Sequence, residues 1–278
     1  MTGDADQLPS VGAGNVLGDL IESGYIYTSR LTEIYRQESE SKIVLNAHRI
    51  NQGRYPEYGG DFVLVSADKQ QEILQKIIEL AFRWPLDQVQ VLTPTKKGIL
   101  GSLNLNENLQ KVFNPPGKEK AEISFGAKIY RTGDRVMQIK NNYDIRWFRE
   151  NGETGEGIFN GDIGIITRID RKTKSLVVKF FDKIARYTFE FAGDLDFAYA
   201  ITVHKSQGNE FDAVIIPMFS GPPQLYYRNL LYTAVTRAKK TLVLVGNPST
   251  VEYMVNNNRR TKRYSGLKEF LLRDDTLY

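Results

Sequence analysis

Cysteine is absent from this 278-residue chain, and histidine occurs only as His48 and His204. Without cysteine the chain has no disulfides and no thiolate metal ligands, which is typical of proteins of the reducing cytosol. Two histidines are also too few for an ordinary imidazole zinc site. We therefore predict a cytoplasmic protein, and we predict no metal site in this chain.

Long apolar runs are missing as well. No run approaches the roughly 18 apolar residues that are needed to span a membrane. The opening residues MTGDADQLPS contain neither the basic start nor the apolar segment of a secretory signal. We expect no membrane partner. The 37 basic and 33 acidic residues give a net charge of +4, which suits a polyanionic partner and equally suits an ordinary soluble surface.

Both ends of the chain alternate apolar strands with amphipathic helices. Asp68 is predicted to cap the second helix, and Pro85 is predicted to end it. Unbroken Val/Ile/Leu strands that alternate with helices indicate a parallel sheet covered on both faces, an α/β fold. The predicted strands are 61–65, 88–93, 212–218 and 240–246, and the predicted helices are 12–24, 67–84, 102–113, 225–238 and 266–274.

The middle of the chain, from about Ile129 to Phe191, has a different character. Short β-rich runs such as GDIGIITRID and KSLVVKFF are separated by turn material such as ENGETGEG and DRKTK. Four or five short strands at this spacing predict a small β-barrel inserted in the α/β domain.

Four strings occur in a fixed order: GDADQLPSVGAGNVL, LTEIYRQ, AYAITVHKSQGNEFD and LLYTAVTRAKKTLVLVG. The series resembles motifs III, IV, V and VI of superfamily 1 DNA helicases. It is most similar to the RecD/TraA branch, the exodeoxyribonuclease V alpha-subunit type, and the similarity covers essentially the whole chain. Four motifs in order, with a β insert between IV and V, are a specific signal.

The resemblance implies a RecA-like P-loop NTPase motor domain with an inserted SH3-like β-barrel. Residues 1–30 would end a first RecA-like domain. Residues 31–126 and 193–278 would form the two parts of a second RecA-like domain, and 127–192 would form the insert.

The family binds ATP through a Walker A loop and a Walker B acidic pair, and neither is in this chain. The PGKEK string has Glu119 where a P-loop needs Ser or Thr. Only Met1 and Thr2 precede Gly3, where a strand is expected. We therefore expect a C-terminal part of a larger protein, inactive alone, whose partner is the missing N-terminal half. The cofactor would be ATP with Mg²⁺, and the Mg²⁺ ligands would lie outside this chain.

The resemblance also implies roles for individual residues. Arg237, at the end of the YTAVTRA helix, would reach the γ-phosphate, and such an arginine is worth about 10³–10⁵ in rate. Arg36 would be a second γ-phosphate contact, and Gln7 would sense that phosphate or orient the attacking water. Gly208 and Glu210 would contact the nucleotide, Glu210 at its ribose. Without the resemblance, these arginines and the glutamine would be ordinary surface or loop residues.

Three groups are predicted to bind single-stranded DNA. Hydroxyl, imidazole and ammonium groups suit phosphate oxygens, and a loop at the carboxyl end of a strand is where α/β sheets bind ligands. Tyr143 would stack on a base, unless it is a turn or core tyrosine, and His204 is alternatively a structural histidine. The groups are Thr202, His204, Lys205 and Ser206; Thr93, Thr95 and Lys96; and Lys140, Asn141, Asn142 and Tyr143.

By this resemblance the chain is the C-terminal part of an ATP-dependent 5′–3′ DNA helicase of recombination and repair. One alternative is a non-catalytic nucleic-acid-binding adaptor, which would not need Gln7, Arg36, Glu210 and Arg237 together. The other is a helicase subunit of a multi-subunit nuclease. The preference for DNA over RNA and the polarity follow from the resemblance alone.

Overall fold

A computed structural model describes residues 2–9, 14–30, 41–259 and 266–273 of the chain. The helices are α1 (Val16–Ser23), α2 (Lys42–Asn51), α3 (Gln70–Ala81), α4 (Ser102–Phe113), α5 (Arg228–Val235), α6 (Pro248–Asn256) and α7 (Leu267–Arg273). The first strands are β1 (Phe62–Ser66), β2 (Val89–Thr93), β3 (Glu122–Phe125), β4 (Lys128–Arg131), β5 (Arg135–Gln138), β6 (Asn142–Phe148) and β7 (Thr154–Ile158). The remaining strands are β8 (Ile163–Asp170), β9 (Ser175–Phe180), β10 (Lys183–Thr188), β11 (Leu195–Phe197), β12 (Ala200–Thr202), β13 (Phe211–Met218) and β14 (Ala238–Gly246). Two short 3-10 helices cover Phe189–Asp194 and Val203–Ser206.

A five-stranded parallel sheet has the order β1-β14-β13-β2-β12. Side chains along β13 alternate between its two faces, as the strand pleat requires. Ala213 and Ile215 pack with the buried residues of α3 and α4, whereas Val214 and Ile216 pack with those of α2, α5 and α6. The predicted parallel sheet covered by helices on both faces is therefore confirmed.

The structure confirms the five predicted helices as α1, α3, α4, α5 and α7 and corrects the ends of most of them, and it adds α2 and α6, which were not predicted. The residues of α4 are those of the predicted helix, and Gly24 ends α1 in the left-handed conformation, with φ of 67°. The capping role predicted for Asp68 is wrong, because α3 begins after Lys69, which makes no side-chain capping hydrogen bond. Helix α5 stops at Val235, so it is shorter than the predicted 225–238.

Strands β3 to β11, called the β insert below, lie between α4 and the last part of the parallel sheet. Seven of them form an antiparallel sheet in the order β11-β5-β8-β9-β10-β6-β7, and β3 pairs with β4. The sequence predicted only four or five strands. The strands β6 and β7 were not predicted, because polar residues and glycines interrupt the apolar pattern of their segments. Lys140 and Asn141 lie in a loop as predicted, but Asn142 and Tyr143 begin β6.

Buried contacts join the β insert to the parallel sheet. Met137 and Ile163 pack into the same core cluster as α2 and α5. Arg135 donates hydrogen bonds to the carbonyls of Leu86 and Val89, the latter at 2.7 Å. Burial lowers the pKa of Arg135 to about 10, which still leaves its guanidinium charged at neutral pH. These contacts hold the insert in one orientation on the sheet.

Asp134 forms a second junction between the insert and the parallel sheet. Its carboxylate is fully buried and accepts hydrogen bonds from Gln110 Nε2 at 2.8 Å and Asn114 Nδ2 at 2.6 Å. It also accepts from the Arg131 backbone N–H at 2.7 Å and the Tyr199 hydroxyl at 2.8 Å. Burial raises the pKa of Asp134, and the four hydrogen bonds oppose that rise. One carboxylate thus ties together α4, the β4–β5 turn and the segment before β12.

Among the described residues, none of the helices combines the length and the apolar character that crossing a membrane requires.

Candidate functional site

The first described segment, residues 2–9, docks on α5 and on the loop after the 3-10 helix Val203–Ser206. The Leu8 N–H donates to Thr233 Oγ1 at 2.9 Å, and Asn229 Nδ2 donates to the Asp6 carbonyl at 2.9 Å. Gln207 Nε2 donates to the Leu8 carbonyl at 2.6 Å. Strings that are about 200 positions apart in the chain therefore meet at one place.

Arg237 lies at the centre of this meeting point. It is buried and lies just beyond the end of α5. The sequence predicted it inside that helix, and this position is therefore corrected. Its Nη2 donates to Gln7 Oε1 at 2.7 Å and to Thr236 Oγ1 at 3.2 Å. Its Nη1 donates to the Asn209 carbonyl at 3.0 Å, and its Nε donates to the Thr233 carbonyl at 3.2 Å. All three guanidinium nitrogens are thus engaged.

Negative charges near Arg237 oppose the effect that its burial has on its pKa. Burial lowers the pKa of Arg237, and the negative charges of Glu210 and Asp4 raise it again. Asp4 also accepts hydrogen bonds from Gln7 Nε2 at 3.1 Å and from the Tyr232 hydroxyl at 2.8 Å. Gln7 is therefore held between a carboxylate and a guanidinium, with its amide oxygen directed at the cation.

A cavity of about 490 Å³ opens beside this pair. Its lining includes Gln7, Gln207 and Gly208, together with residues of α1. Gly208 has φ of 85°, a left-handed conformation that suits glycine. Glu210 is exposed nearby and pairs with Lys239 at 3.4 Å. The cavity is thus bordered by the amide of Gln7 and the backbone of Gly208, and Gln7 in turn is bound to Arg237.

The carboxyl ends of β2 and β12 bring two of the predicted DNA-binding groups together. Thr93 and Thr202 are register partners in adjacent parallel strands. Thr95 and Lys96 follow β2, and His204 and Lys205 follow β12. Lys205 pairs with Asp196 at 3.6 Å. The backbone of the two strands therefore fixes both loops at one edge of the sheet.

Two hydroxyls predicted to face DNA are not exposed in this structure. Thr93 is buried and its Oγ1 donates to the Leu100 carbonyl at 2.7 Å. Ser206 is buried and its Oγ donates to the Val203 carbonyl at 2.8 Å. Each hydroxyl braces its own loop in this structure, and a direct contact of either hydroxyl with phosphate stays a prediction.

The third predicted DNA-binding group lies on the β insert. Lys140 is largely exposed and pairs with Asp194 at 3.4 Å, and Asn141 Oδ1 accepts from the Asn160 N–H at 2.9 Å. Tyr143 is 66% exposed, and its ring packs edge-on against Phe159 with centroids 5.7 Å apart. The predicted alternative of a core tyrosine is wrong, because most of the ring faces solvent. Arg36 lies outside the described residues.

Comparisons with known proteins agree with the motif series. Residues 105–180 match the family model of the ATP-dependent RecD-like DNA helicase SH3 domain, and 197–245 match that of the UvrD-like helicase C-terminal domain. Residues 1–64 match an AAA domain. The ATP-dependent RecD2 DNA helicase of Deinococcus radiodurans is 33% identical over 264 residues, which are 94% of this chain and 34% of that protein. The chain belongs to the RecD-like superfamily 1 helicases.

Two further proteins match this RecD-like chain at lower identity. The RecBCD enzyme subunit RecD of Mycolicibacterium smegmatis is 25% identical. The match covers 98% of this chain and 49% of that protein. The chain thus spans about a third to a half of these relatives. A Pif1 helicase structure from Bacteroides, solved in complex with ADP-AlF3 and ssDNA, matches with a TM-score of 0.51 at 18% identity. That match covers 99% of this chain and 66% of the Pif1 chain, and it supports the RecA-like fold.

Three residues of this RecD-like site were not predicted. Asp4 stood in the motif III string, and its carboxylate next to Gln7 was the available signal. Asn209 and Phe159 had no comparable signal, because Asn209 contacts Gly161 across the junction with the β insert and Phe159 contacts Tyr143 through the strand pairing inside the insert. Among the described residues, no cluster of three or more His, Cys, Asp and Glu side chains could hold a metal ion.

Proposed function

We propose that the protein containing this chain is an ATP-dependent 5′–3′ DNA helicase of recombination and repair. This chain contributes the second RecA-like motor domain with its SH3-like insert, divided as the sequence predicts, and it does not hydrolyse ATP alone. The observation that carries the proposal is the hydrogen bond between Gln7 and Arg237 beside an open cavity.

The hydrogen bond between Gln7 and Arg237 supports a role for the two residues in sensing phosphate. A guanidinium binds a phosphate oxygen more strongly than it binds a neutral amide oxygen, because the hydrogen bond is then charge-assisted at both ends. An ATP γ-phosphate that enters the cavity therefore takes Arg237 from Gln7 and leaves the amide free to orient water. Arg36 is proposed as a second phosphate contact, and Gly208 and Glu210 as contacts of the nucleotide.

ATP is the substrate of the whole protein in this proposal, and Mg²⁺ accompanies it. The Mg²⁺ ligands and the Walker A loop belong to the first motor domain in this proposal. Only the end of that domain, residues 1–30, lies in this chain. The Pif1 relative's complex with ADP-AlF3 and ssDNA supports ATP and single-stranded DNA as ligands. We propose a cytoplasmic location for the protein.

Single-stranded DNA is proposed to cross the carboxyl edge of the parallel sheet and continue onto the β insert. Thr95, Lys96, Thr202, His204 and Lys205 would contact its phosphates, with Thr93 and Ser206 bracing the loops. Lys140, Asn141 and Tyr143 would hold the strand on the insert, where a base stacks on the exposed tyrosine ring. Closure and opening of the motor domains during ATP turnover would move the DNA along this path.

The test is ATP turnover by the intact protein with and without oligo-dT, for the wild type and Arg237→Ala. We expect stimulation by DNA in the wild type and its loss in Arg237→Ala, with nucleotide binding retained. A wild type that turns over no ATP in the presence of DNA would replace this proposal with the adaptor alternative. Normal turnover by Arg237→Ala would remove Arg237 from its catalytic role.

A second candidate is a helicase subunit of a multi-subunit nuclease, and the RecBCD subunit relatives favour it. It requires a stable complex with nuclease subunits, because this chain supplies no metal cluster among its described residues. The mass of the protein isolated at its native level, measured by light scattering, tests it. A single-chain mass excludes this candidate, and a defined heteromer that degrades DNA supports it.

A further inference from the structure

Asn209 contacts the candidate nucleotide site and the β insert at the same time. Its backbone carbonyl accepts a hydrogen bond from Arg237 Nη1 at 3.0 Å. Its side-chain Nδ2 donates to the carbonyl of Gly161, in the turn between β7 and β8, at 3.3 Å. One residue therefore joins the cation that contacts Gln7 to a turn of a separate sheet.

Hydrogen bonds also fix the turn at residues 159–162 to the candidate DNA-binding edge of the insert. The Gly161 N–H donates to the Gln138 carbonyl at 2.9 Å, and the Asn160 N–H donates to Asn141 Oδ1 at 2.9 Å. Gly161 has φ of 101°, so its peptide is held in a turn that suits glycine. Hydrogen bonds therefore join Gly161 and its neighbour to the segment that carries Lys140 and Asn141.

The same turn positions an aromatic ring. Phe159 is its first residue, and the Phe159 N–H is held by Asp162 Oδ2 at 2.9 Å. The ring of Phe159 packs edge-on against Tyr143, and both rings are exposed. The turn that Asn209 contacts thus fixes half of a two-ring surface suited to stacking on nucleic-acid bases.

We propose that Asn209 is a positioning residue that couples the nucleotide state to the grip of the β insert on single-stranded DNA. The proposal rests on the proposed function, because it takes Gln7 and Arg237 as the nucleotide sensor. When Arg237 leaves Gln7 for a phosphate, the carbonyl of Asn209 moves with the guanidinium. The Asn209 side chain then shifts Gly161 and the Tyr143–Phe159 ring pair.

The two contacts of Asn209 can be separated by mutation. Asn209→Ala keeps the backbone carbonyl that Arg237 needs and removes only the donor to Gly161. Asn209→Asp keeps the shape of the side chain and replaces the donor with an acceptor facing another acceptor. Asn160→Ala is the matched control, because the contact of Asn160 with Asn141 is made by its backbone N–H, which alanine retains.

The experiment measures two quantities on the intact protein. The first is the ratio of the oligo-dT dissociation constants without and with ADP–aluminium fluoride, by fluorescence anisotropy. The second is ATP turnover with and without oligo-dT. Since binding linkage is reciprocal, the first ratio reports how strongly nucleotide and DNA affect each other. We expect Asn209→Ala and Asn209→Asp to reduce it about two- to tenfold, the worth of one hydrogen bond, while the thermal midpoint falls by no more than about 2–4 °C.

Three results are distinguishable. A reduced ratio in both Asn209 variants, with a wild-type ratio in Asn160→Ala, supports the proposal. A wild-type ratio in both Asn209 variants overturns it and leaves the proposed function intact. A wild-type protein whose ATP turnover does not respond to oligo-dT overturns the proposed function, and the coupling role of Asn209 falls with it.

Discussion

Gln7 and Arg237 are 230 positions apart in the chain, yet the Oε1 of Gln7 accepts a hydrogen bond from Nη2 of Arg237 at 2.7 Å. The contact joins the motif III string to the motif VI string across the fold. Arg237 also holds the carbonyl of Asn209 in the motif V string. Three motifs that were recognised separately therefore act on one guanidinium, and this arrangement leads to the predictions that follow.

Gln7 and Arg237 are expected to act as a unit. Gln7→Ala and Arg237→Ala should each lower the DNA-stimulated turnover of the intact protein, Arg237→Ala by about 10³-fold or more. The double variant should be no slower than Arg237→Ala, because contacting residues give non-additive effects. Steady-state kinetics of the four proteins measure this coupling. Gln75→Ala, on the exposed side of α3, is the glutamine control; additive losses for the pair would contradict the prediction.

The ring pair on the β insert is expected to bind bases. Tyr143→Ala and Phe159→Ala should each weaken oligo-dT binding by the intact protein about 5- to 150-fold, the range for losing one stacked base. Anisotropy titrations at one salt concentration measure the effect. Tyr253→Ala, which removes a partly exposed tyrosine of α6, should leave the affinity unchanged. If Tyr143→Ala and Phe159→Ala bind oligo-dT as tightly as the control and the wild type do, neither ring stacks on a base.

Glu210 is expected to affect nucleotide binding without affecting stability. Its ion pair with Lys239 is half exposed on both sides, and exposed pairs contribute about 0–1 kcal/mol. Glu210→Gln should therefore leave the free energy of unfolding nearly unchanged and weaken ATP binding by the intact protein. Denaturant titration and nucleotide titration measure the two effects. An unchanged nucleotide affinity would argue against a contact between Glu210 and the ribose.

Asp134 is expected to be essential for stability. Asp134→Ala removes the shared acceptor of Gln110, Asn114 and Tyr199 and leaves buried donors unpaired, which should cost about 3–5 kcal/mol. Urea unfolding of this chain measures the loss. Asp144→Ala is the control, because Asp144 lies exposed on β6 of the same insert. A loss below about 1 kcal/mol would show that these donors find other acceptors.

The same carboxyl group predicts a pH dependence. Burial raises the pKa of Asp134 above its ordinary value of 3.8, so the folded state binds its proton more tightly than the unfolded state does. The resulting stability is fully present below pH 3.8 and is lost as the pH rises through the folded-state pKa. The difference in unfolding free energy between the wild type and Asp134→Ala should therefore increase as the pH is lowered through this window. A difference that shrinks on acidification would contradict the sign.

The apolar periodicity of the sequence was sufficient to predict four of the five strands of the parallel sheet and the helices α3, α4 and α5, but not β12, α2 or α6. The α4 helix and the β13 strand follow from residues that are neighbours in the chain, so local patterns reveal them. The strands β6 and β7 do not follow in this way. Their polar and glycine-rich residues become strands because β10 and β6 pair, and that pairing is a long-range choice.

The candidate site likewise was determined partly by the sequence and partly by the tertiary structure. By themselves, the ordered strings determined the family and nominated Gln7, Gly208, Glu210 and Arg237. Only the tertiary structure decided that Arg237 lies beyond its helix, that Thr93 and Ser206 turn their hydroxyls inward, and that Asn209 reaches the insert. The reason is physical: a string records which side chains a segment carries, whereas sheet order and packing decide where each polar atom finds its partner.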